Sequence, residues 1–202
     1  MFVLAVAASY LLGSVPFAVL VSLALRKADP RTYGSGNPGA TNVLRGAGRT
    51  AAALTLVGDA GKGALAVWLG RSLGGGGETL AIACGAAAFL GHVFPVFLRF
   101  RGGKGVATFL GVLLAFEPWL GLACCGLWLV VAFAARYSSL ASLTAAVGAP
   151  VLLGLGEGPD LNCGIVLAMS ALLVWRHRSN IAKLRAGTEA KIGSTGKAPT
   201  NS

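Results

Sequence analysis

Three polar segments of this 202-residue chain contain the side chains best suited to bind a ligand or take part in a reaction. The first, residues 29–45, mixes glycines with small polar side chains and a cation: Ser35, Asn37, Thr41, Asn42 and Arg45. Glycines let a backbone come close to an anion, and hydroxyl and amide groups add hydrogen-bond donors to such a nest. The composition favours a phosphate cradle over the alternative, an ordinary Gly/Asn/Pro turn between helices.

The same segment carries a pattern that suggests a different ligand. Gly34, Gly36 and Gly39 match the G-x-G-x-x-G spacing of dinucleotide-binding folds. That spacing has its meaning only between a strand and a helix of a βαβ unit, whereas an apolar helix is expected before it here. We therefore predict no dinucleotide site.

The second polar segment ends in a glycine-rich turn that opens the next apolar stretch. It contains Gly102, Gly103, Lys104 and Gly105, followed by Thr108. A helix N-terminus offers free N–H groups and a partial positive charge, so this turn with its lysine suits an anion with several oxygens. The alternative, a basic segment that only orients the protein in a membrane, explains the flanking arginines but not the three glycines.

The third segment follows the last apolar stretch and contains His177, Asn180 and Glu189. If a helix continues through this segment, His177 and Asn180 are three residues apart and share a face. Two such side chains could bind a hydroxyl or polarise a carbonyl. A histidine near a helix end is more often a surface residue, but the other histidine, His92, also lies beside a polar segment.

Two charged residues lie inside an apolar stretch. Asp59 and Lys62 are three residues apart and can pair on one helix face. Ionisable residues within a membrane segment are costly and by default indicate function, although a structural ion pair that positions the polar segments is an equal alternative. Ser142 and Arg136, near the start of a later stretch, are weaker candidates of the same kind.

The composition limits the class of protein that must position these residues. The chain is 55% hydrophobic and 12% charged, with a formal net charge of +10 and a mean hydropathy of +0.73. Soluble domains carry about 25% charged residues. The scarcity of charge excludes a soluble nucleic-acid-binding domain and the hydrophobicity excludes a disordered basic protein, so we predict an integral membrane protein.

Seven apolar stretches predict an all-α bundle of seven transmembrane helices. They cover Phe2–Leu25, Ala51–Gly70, Thr79–Leu98, Val106–Phe116, Pro118–Ala135, Leu140–Leu155 and Asn162–Trp175, of which the fourth and the last are short. We expect one domain over residues 1–192 and a polar, mobile tail over residues 193–202.

The charges of the connections alternate along the chain. The first, third, fifth and last polar connections hold 15 of the 17 basic residues, whereas the other three are mildly acidic with one arginine. Because cytoplasmic loops are enriched in Lys and Arg, this alternation predicts an outside N-terminus and a cytoplasmic C-terminus. The three polar segments then all meet at the inner surface of the membrane.

The cysteines contribute no site. Cys84, Cys124, Cys125 and Cys163 lie in apolar stretches without metal-ligand spacing, so we expect small buried side chains, no disulfide and no bound metal.

The three segments together resemble a known family. Residues 35–42, 91–108 and 177–189 are similar to the three ordered motifs of the bacterial acyl-phosphate-dependent glycerol-3-phosphate acyltransferases, the PlsY family. The resemblance covers essentially the whole chain. It implies transfer of a fatty acyl group from acyl phosphate to the sn-1 hydroxyl of glycerol 3-phosphate, giving lysophosphatidic acid and phosphate, the first step of phospholipid synthesis.

The resemblance also implies a setting. The acyl phosphate would come from the bilayer and the glycerol 3-phosphate from the cytosol, with no cofactor, no metal and no nucleic acid. The protein would be a monomer in the bacterial inner membrane, with its site on the cytoplasmic side.

The roles of individual residues follow as hypotheses. We assign catalysis to Ser35, His177 and Asn180, which with Arg45 and Lys104 would also bind glycerol 3-phosphate. The acyl phosphate head would lie on Lys104, Thr108 and the amides of Gly102, Gly103 and Gly105. A supporting polar shell comprises Asn37, Thr41, Asn42, Asp59, Lys62, His92, Ser142 and Glu189. No convincing protein base is evident, so a phosphate oxygen of the substrate would take the hydroxyl proton.

Two other classes of function use the same cations. A small transporter for a phosphorylated solute would need polar residues through the bilayer, and apart from Asp59 and Lys62 the stretches are apolar. A membrane scaffold with a basic face for anionic lipid would not need the pattern of Ser, Asn, Thr and Gly.

Overall fold

The computed structural model describes residues 1–75 and 78–193; Gly76, Gly77 and residues 194–202 lie outside the described part, and with them all but the first residue of the predicted tail. Within these two ranges the chain is all-α, as the sequence predicts, and contains no strand. Its helices are α1 Phe2–Gly13, α2 Phe17–Ala24, α3 Ala40–Ala47, α4 Arg49–Leu73, α5 Glu78–Val93, α6 Val106–Phe116, α7 Pro118–Ala135, α8 Ser138–Glu157, α9 Leu161–Arg176 and α10 Arg178–Arg185. A 3₁₀ turn, Val96–Leu98, follows α5.

Several of these helices are long and apolar enough to cross a membrane. In the described part of the chain four qualify by length and composition, in the regions of α4, α5, α7 and α8, and a fifth is obtained if α1 and α2 count as one bent span. α6 and α9 are apolar but have only 11 and 16 residues. These two match the fourth and seventh apolar stretches, which are short in the sequence.

The first apolar stretch is not the single helix that the sequence predicts. It forms α1 and α2, bent by 43° at residues 14–16. Pro16 has no N–H to continue the helix, and the Lys62 ammonium of α4 donates to the Val15 carbonyl at 2.9 Å. A helix break inside a membrane needs such a partner for its freed carbonyl groups.

The first polar segment also contains more structure than a turn. Residues 40–47 form α3, whose Val43 is fully buried against Ala18 of α2 and Ala51 of α4. α3 therefore fixes the C-terminal half of this segment on the helices beneath it.

α4, α5 and α6 form the centre of the bundle, and small residues bring their backbones close together. A side chain at Gly111 of α6 would overlap the backbone of Ala60 in α4, and one at Gly91 of α5 would overlap the backbone of Tyr10 in α1. Such small-residue contacts are how membrane helices pack without a hydrophobic driving force between them. α7, α8 and α9 pack around this centre.

Candidate active site

Two cavities of opposite character lie side by side at the end of the bundle where the three polar segments meet. The first has a volume of about 1100 Å³ and is lined by cations: Arg31, Arg99, Arg101, Lys104, Arg176, Arg178 and Lys183. Its one acidic residue, Asp29, already pairs with Arg31 at 2.5 Å. This polar cavity is therefore strongly electropositive and suits a small anion with more than one negative charge.

The second cavity has a volume of about 400 Å³ and runs down among α4, α6 and α7. Its lower wall is apolar and includes Leu56, Ala60, Leu110, Leu114, Cys125, Trp128 and Leu129. Leu56 and Leu129 are 49% and 62% exposed, so this apolar cavity faces the region that lipid would occupy. Its shape and lining suit a hydrocarbon chain.

The two cavities share four residues, Ser35, Asn37, Lys104 and Asn180. Each of these was predicted from the sequence as part of the site. Of the other predicted residues, all but Gly103, Thr108, Lys62 and the weaker candidate Arg136 line one cavity or the other. The structure thus brings the three polar segments together at one junction between an electropositive cavity and an apolar cavity.

A chain of hydrogen bonds crosses this junction. The Lys104 ammonium donates to Asn180 Oδ1 at 2.5 Å, and the Asn180 amide donates to Glu189 Oε1 at 2.7 Å. The same carboxylate oxygen accepts from the Ser139 hydroxyl at 2.7 Å. The glycine turn, α10, the segment after α10 and the start of α8 are therefore linked through side chains.

The electrostatic environment makes Lys104 easier to deprotonate than a surface lysine. Burial lowers the pKa of its ammonium to about 8, an effect that Glu189 opposes and that Lys183, Arg176 and Arg45 reinforce. A bound anion would favour the charged ammonium again, so phosphate binding and protonation of Lys104 would reinforce each other.

His177 is a buried, neutral histidine at the joint between α9 and α10. Its Nδ1 donates to the Leu173 carbonyl at 2.8 Å, which leaves Nε2 as the acceptor. Burial lowers the pKa of His177 to about 4, so the ring carries no charge at neutral pH. The ring lines the apolar cavity at its polar end and can accept a hydrogen bond from a hydroxyl.

Asn42 holds the first polar segment in shape. Its buried amide donates to the carbonyls of Pro30 and Tyr33, and its oxygen accepts from the Ser35 N–H at 3.1 Å. The Ser35 hydroxyl itself is exposed to the cavities. Thr41 extends this support, because its hydroxyl lies 3.1 Å from that of Ser138 in α8.

The glycine turn differs from the expected cradle of three amides. The Gly103 N–H donates to the His92 carbonyl at 3.2 Å and is therefore already occupied. Arg176 of α9 donates to the carbonyls of Gly102 and Gly103 at 3.0 and 3.2 Å. The turn is thus fixed from both sides, and Gly105 ends it in the left-handed region at a φ of +87°.

Thr108 is placed away from the site. It is buried on the face of α6 that packs on Gly63 of α4, and it lines neither cavity. The Thr108 side chain packs between α4 and α6, and its contact with an acyl phosphate head stays a prediction.

The predicted pair of Asp59 and Lys62 is confirmed, with 2.8 Å between the charged groups. The pair has a third member, since His92 Nδ1 lies 3.3 Å from the same Asp59 oxygen. All three side chains are buried. The Lys62 ammonium also donates to the Val15 carbonyl at the α1–α2 break, and the backbone carbonyl of His92 accepts from the Gly103 N–H. The cluster therefore lies beside residues that position both the bend and the glycine turn.

Two further predicted residues sit at the polar end of the apolar cavity. The Ser142 hydroxyl accepts from the Trp128 indole at 3.1 Å and donates to the Ser138 carbonyl. Arg45, expected to bind the small anion, is exposed and lines the apolar cavity rather than the polar one.

Sequence reasoning missed Arg176 and Ser139. In the sequence Arg176 is one of several basic residues of the kind that orient a membrane protein. In the structure its guanidinium lies against the Phe94 and Trp175 rings and donates to the Gly102 carbonyl of the glycine turn. Ser139 lies beside the weaker candidates Arg136 and Ser142, and only its burial and its contact with Glu189 distinguish it. Among the described residues, no three His, Cys, Asp or Glu side chains form a group that could hold a metal ion.

The fold and the site define a class: a helical membrane protein in which an electropositive cavity and an apolar cavity meet at one junction of polar side chains. A profile of the glycerol-3-phosphate acyltransferases matches residues 3–187. The chain belongs to this family and is a multi-pass integral membrane protein.

Relatives and solved structures cover nearly the full length of the chain. The glycerol-3-phosphate acyltransferase of Burkholderia thailandensis is 61% identical over 194 residues, which is 94% of this chain and 95% of the relative. That of Ralstonia pickettii is 58% identical over 194 residues, covering 95% of this chain and 94% of the relative.

Among solved structures, the fold is similar to that of PlsY, an integral membrane glycerol 3-phosphate acyltransferase. The crystal structure of its glycerol 3-phosphate form is 38% identical with a TM-score of 0.88, and the match covers 95% of this chain and 96% of that one. Its lysophosphatidic acid form gives 38% identity and a TM-score of 0.86, with 95% of each chain covered.

Proposed function

We propose that this protein transfers a fatty acyl group from acyl phosphate to the sn-1 hydroxyl of glycerol 3-phosphate. The observation that carries the proposal is the sharing of Lys104 and Asn180 between an electropositive cavity and an apolar one. Family membership and the glycerol 3-phosphate and lysophosphatidic acid forms of PlsY support the same reaction.

Glycerol 3-phosphate would occupy the polar cavity. Its phosphate is a small dianion, and the cavity offers seven cations against one carboxylate that is already paired. Ser35 and Asn180 would hold the glycerol hydroxyls at the junction, with His177 accepting from one of them through Nε2.

Acyl phosphate would enter from the bilayer with its chain in the apolar cavity. The chain would lie along Leu56, Leu110 and Leu129. Its phosphate head would reach Lys104 at the junction, beside the Gly105 turn. Arg45, which lines this same cavity, would neutralise the head and would reach glycerol 3-phosphate only across the junction.

The chemistry at the junction requires little from the protein beyond placement and charge. The glycerol oxygen attacks the acyl carbonyl carbon, the bond between that carbon and the bridging oxygen breaks, and phosphate leaves with the electron pair. A phosphate oxygen takes the hydroxyl proton, so no side chain needs to ionise. Because a mixed anhydride has a good leaving group, positioning and neutralisation by Lys104 supply the rate enhancement.

The topology that fits this reaction has seven spans, with α1–α2 as one bent span and α6 and α9 as short ones. The N-terminus would be outside and the three polar segments cytoplasmic, in the bacterial inner membrane, because the basic residues collect on that side. One chain provides both cavities, so a monomer suffices for the reaction.

The test supplies purified protein with glycerol 3-phosphate and either palmitoyl phosphate or palmitoyl-CoA. The proposal predicts lysophosphatidic acid with palmitoyl phosphate, and phosphate release that is fast only when both substrates are present. Formation of product from palmitoyl-CoA alone would overturn the proposed donor. If neither donor gives lysophosphatidic acid, the proposed activity is overturned, and the cavities would serve binding or transport instead.

A further inference from the structure

The segment after α10 returns across the site and is fixed at both ends. At its start Gly187 is left-handed with a φ of +70°. The Gly187 and Thr188 amides donate back to the carbonyls of Leu184 and Lys183. This Schellman arrangement ends α10 and reverses the chain. We call residues 186–192 the strap.

The far end of the strap attaches to the corner between α7 and α8. The Ile192 N–H donates to the Arg136 carbonyl at 2.6 Å, and the Arg136 guanidinium donates to the Ile192 carbonyl at 3.2 Å. Lys191 lies 5.7 Å from the centre of the Tyr137 ring. Arg136 is itself left-handed, with a φ of 62°, which turns its carbonyl and side chain toward the strap.

The middle of the strap forms part of the site wall. Glu189 and Ala190 line the apolar cavity at its polar end, where the cavity meets Lys104. Glu189 is tied to Asn180 on one side and to Ser139 on the other, both at 2.7 Å. The strap thus covers the place where, on the proposed function, the carbonyl of acyl phosphate lies.

The position of the strap matters because two acceptors compete for an acyl phosphate. Water can attack the same carbonyl carbon as the glycerol hydroxyl: its oxygen bonds to that carbon, the bond to the bridging oxygen breaks, and fatty acid and inorganic phosphate result. One proton of the water goes to the phosphate and the other stays on the carboxyl group or is released. Closing a site against water is a general way to prevent such side reactions.

We propose that the strap is a water shield that decides which acceptor receives the acyl group, with the Ile192–Arg136 backbone contact as its latch. The proposal rests on the proposed function and assigns a specificity role to a segment outside the binding residues. Ile192 acts only through the position of Glu189 and Ala190 and is a positioning residue.

The test replaces the latch donor while leaving the binding residues intact. Ile192→Pro removes the N–H that donates to Arg136, and Ile192→Ala keeps it as a matched control. Full-length protein in lipid bilayers is given palmitoyl phosphate with and without glycerol 3-phosphate, and phosphate and lysophosphatidic acid are both quantified. In Ile192→Pro we expect phosphate release without glycerol 3-phosphate to rise about fivefold, the effect of losing one hydrogen bond.

A second variant weakens the contact between the strap and α8 and introduces no proline, so it tests the shield even if Ile192→Pro does not fold. Ser139→Ala removes a donor to Glu189, and Thr144→Ala is its control on the same helix, because the Thr144 hydroxyl donates to the Leu140 carbonyl one turn back. We expect excess phosphate from Ser139→Ala and none from Thr144→Ala. The ratio of phosphate to lysophosphatidic acid is independent of the amount of folded protein.

The outcomes separate the two proposals. If the unaltered protein forms lysophosphatidic acid but Ile192→Pro and Ser139→Ala keep its ratio of products, the shield is overturned and the activity stands. If the unaltered protein forms no lysophosphatidic acid, the proposed function fails first.

Discussion

His177 lies at the junction with one ring nitrogen committed to the Leu173 carbonyl and the other available as an acceptor. Its pKa of about 4 means that it can orient a hydroxyl at neutral pH without carrying a charge. A neutral acceptor at this place favours a role in holding the glycerol rather than in binding phosphate.

Replacing this side chain tests that role. We expect His177→Ala to lower kcat by about 10²-fold, the effect of losing alignment of a reacting group. His177→Gln should retain more activity, since its amide can still offer an acceptor. Initial rates at saturating substrates measure both, and near-normal rates in His177→Ala would contradict the assignment.

The ionisation of the Lys104 ammonium is expected to set the pH dependence of the reaction. The charged form binds phosphate, and a pKa of about 8 means that this form is lost as the pH rises through 8. We therefore expect kcat/KM for glycerol 3-phosphate to fall above about pH 8, because this parameter reports groups of the free enzyme. Lys104→Arg should move the fall to higher pH, and an unchanged profile in that variant would count against Lys104 as the group responsible.

Among the elements of the site, the glycine turn is tightly constrained by backbone contacts on both sides. A side chain at Gly102 would overlap the carbonyl oxygens of His92 and Val93, and backbone atoms cannot move aside as a flexible side chain can. Its fixation by Arg176 and by the His92 carbonyl keeps Lys104 in place between the cavities.

A single methyl group should therefore disturb the turn. We expect Gly102→Ala to lower the activity at least tenfold and to destabilise the protein by about 1–3 kcal/mol, the usual range for overpacking. The matched control is Gly126→Ala in α7, where an added methyl meets nothing within 4 Å and the activity should not change. Activity and thermal unfolding measure the pair, and equal behaviour of the two variants would show that the turn tolerates repacking.

The sequence predicts the elements better than the contacts between them. Charge alternation and hydropathy give the apolar stretches, and the residue types of the polar segments give most of the cavity lining. The bend between α1 and α2 depends on Lys62 reaching the Val15 carbonyl from another helix, so hydropathy alone does not show it. In the same way, tertiary packing turns the Thr108 side chain toward α4 and pairs the Gly103 N–H with the His92 carbonyl.

At the scale of the molecule, the charge distribution and the site belong together. In the proposed topology the excess of cations would orient the chain in the membrane, and seven of those cations also line the polar cavity. The same asymmetry would therefore place the site at the cytoplasmic surface and attract a dianion to it.

Cysteine labelling of intact cells tests this orientation. Pro159 lies in an exposed connection on the predicted outside, and Arg185 lies at the end of α10 on the predicted inside. Each is replaced by cysteine in a separate variant. A membrane-impermeant maleimide should label Pro159→Cys in intact cells and Arg185→Cys only after the cells are opened. The reverse pattern would invert the topology and place the junction outside.

If a hydrocarbon chain and a small anion react where the two cavities meet, the phosphate groups of the two substrates must end in different products. Purified protein is given palmitoyl phosphate and glycerol 3-phosphate, with a radioactive phosphorus in one substrate at a time. We predict that label from glycerol 3-phosphate appears in lysophosphatidic acid and label from palmitoyl phosphate appears only in inorganic phosphate. Label from palmitoyl phosphate in the lipid product, or label from glycerol 3-phosphate in inorganic phosphate, would contradict acyl transfer at this junction.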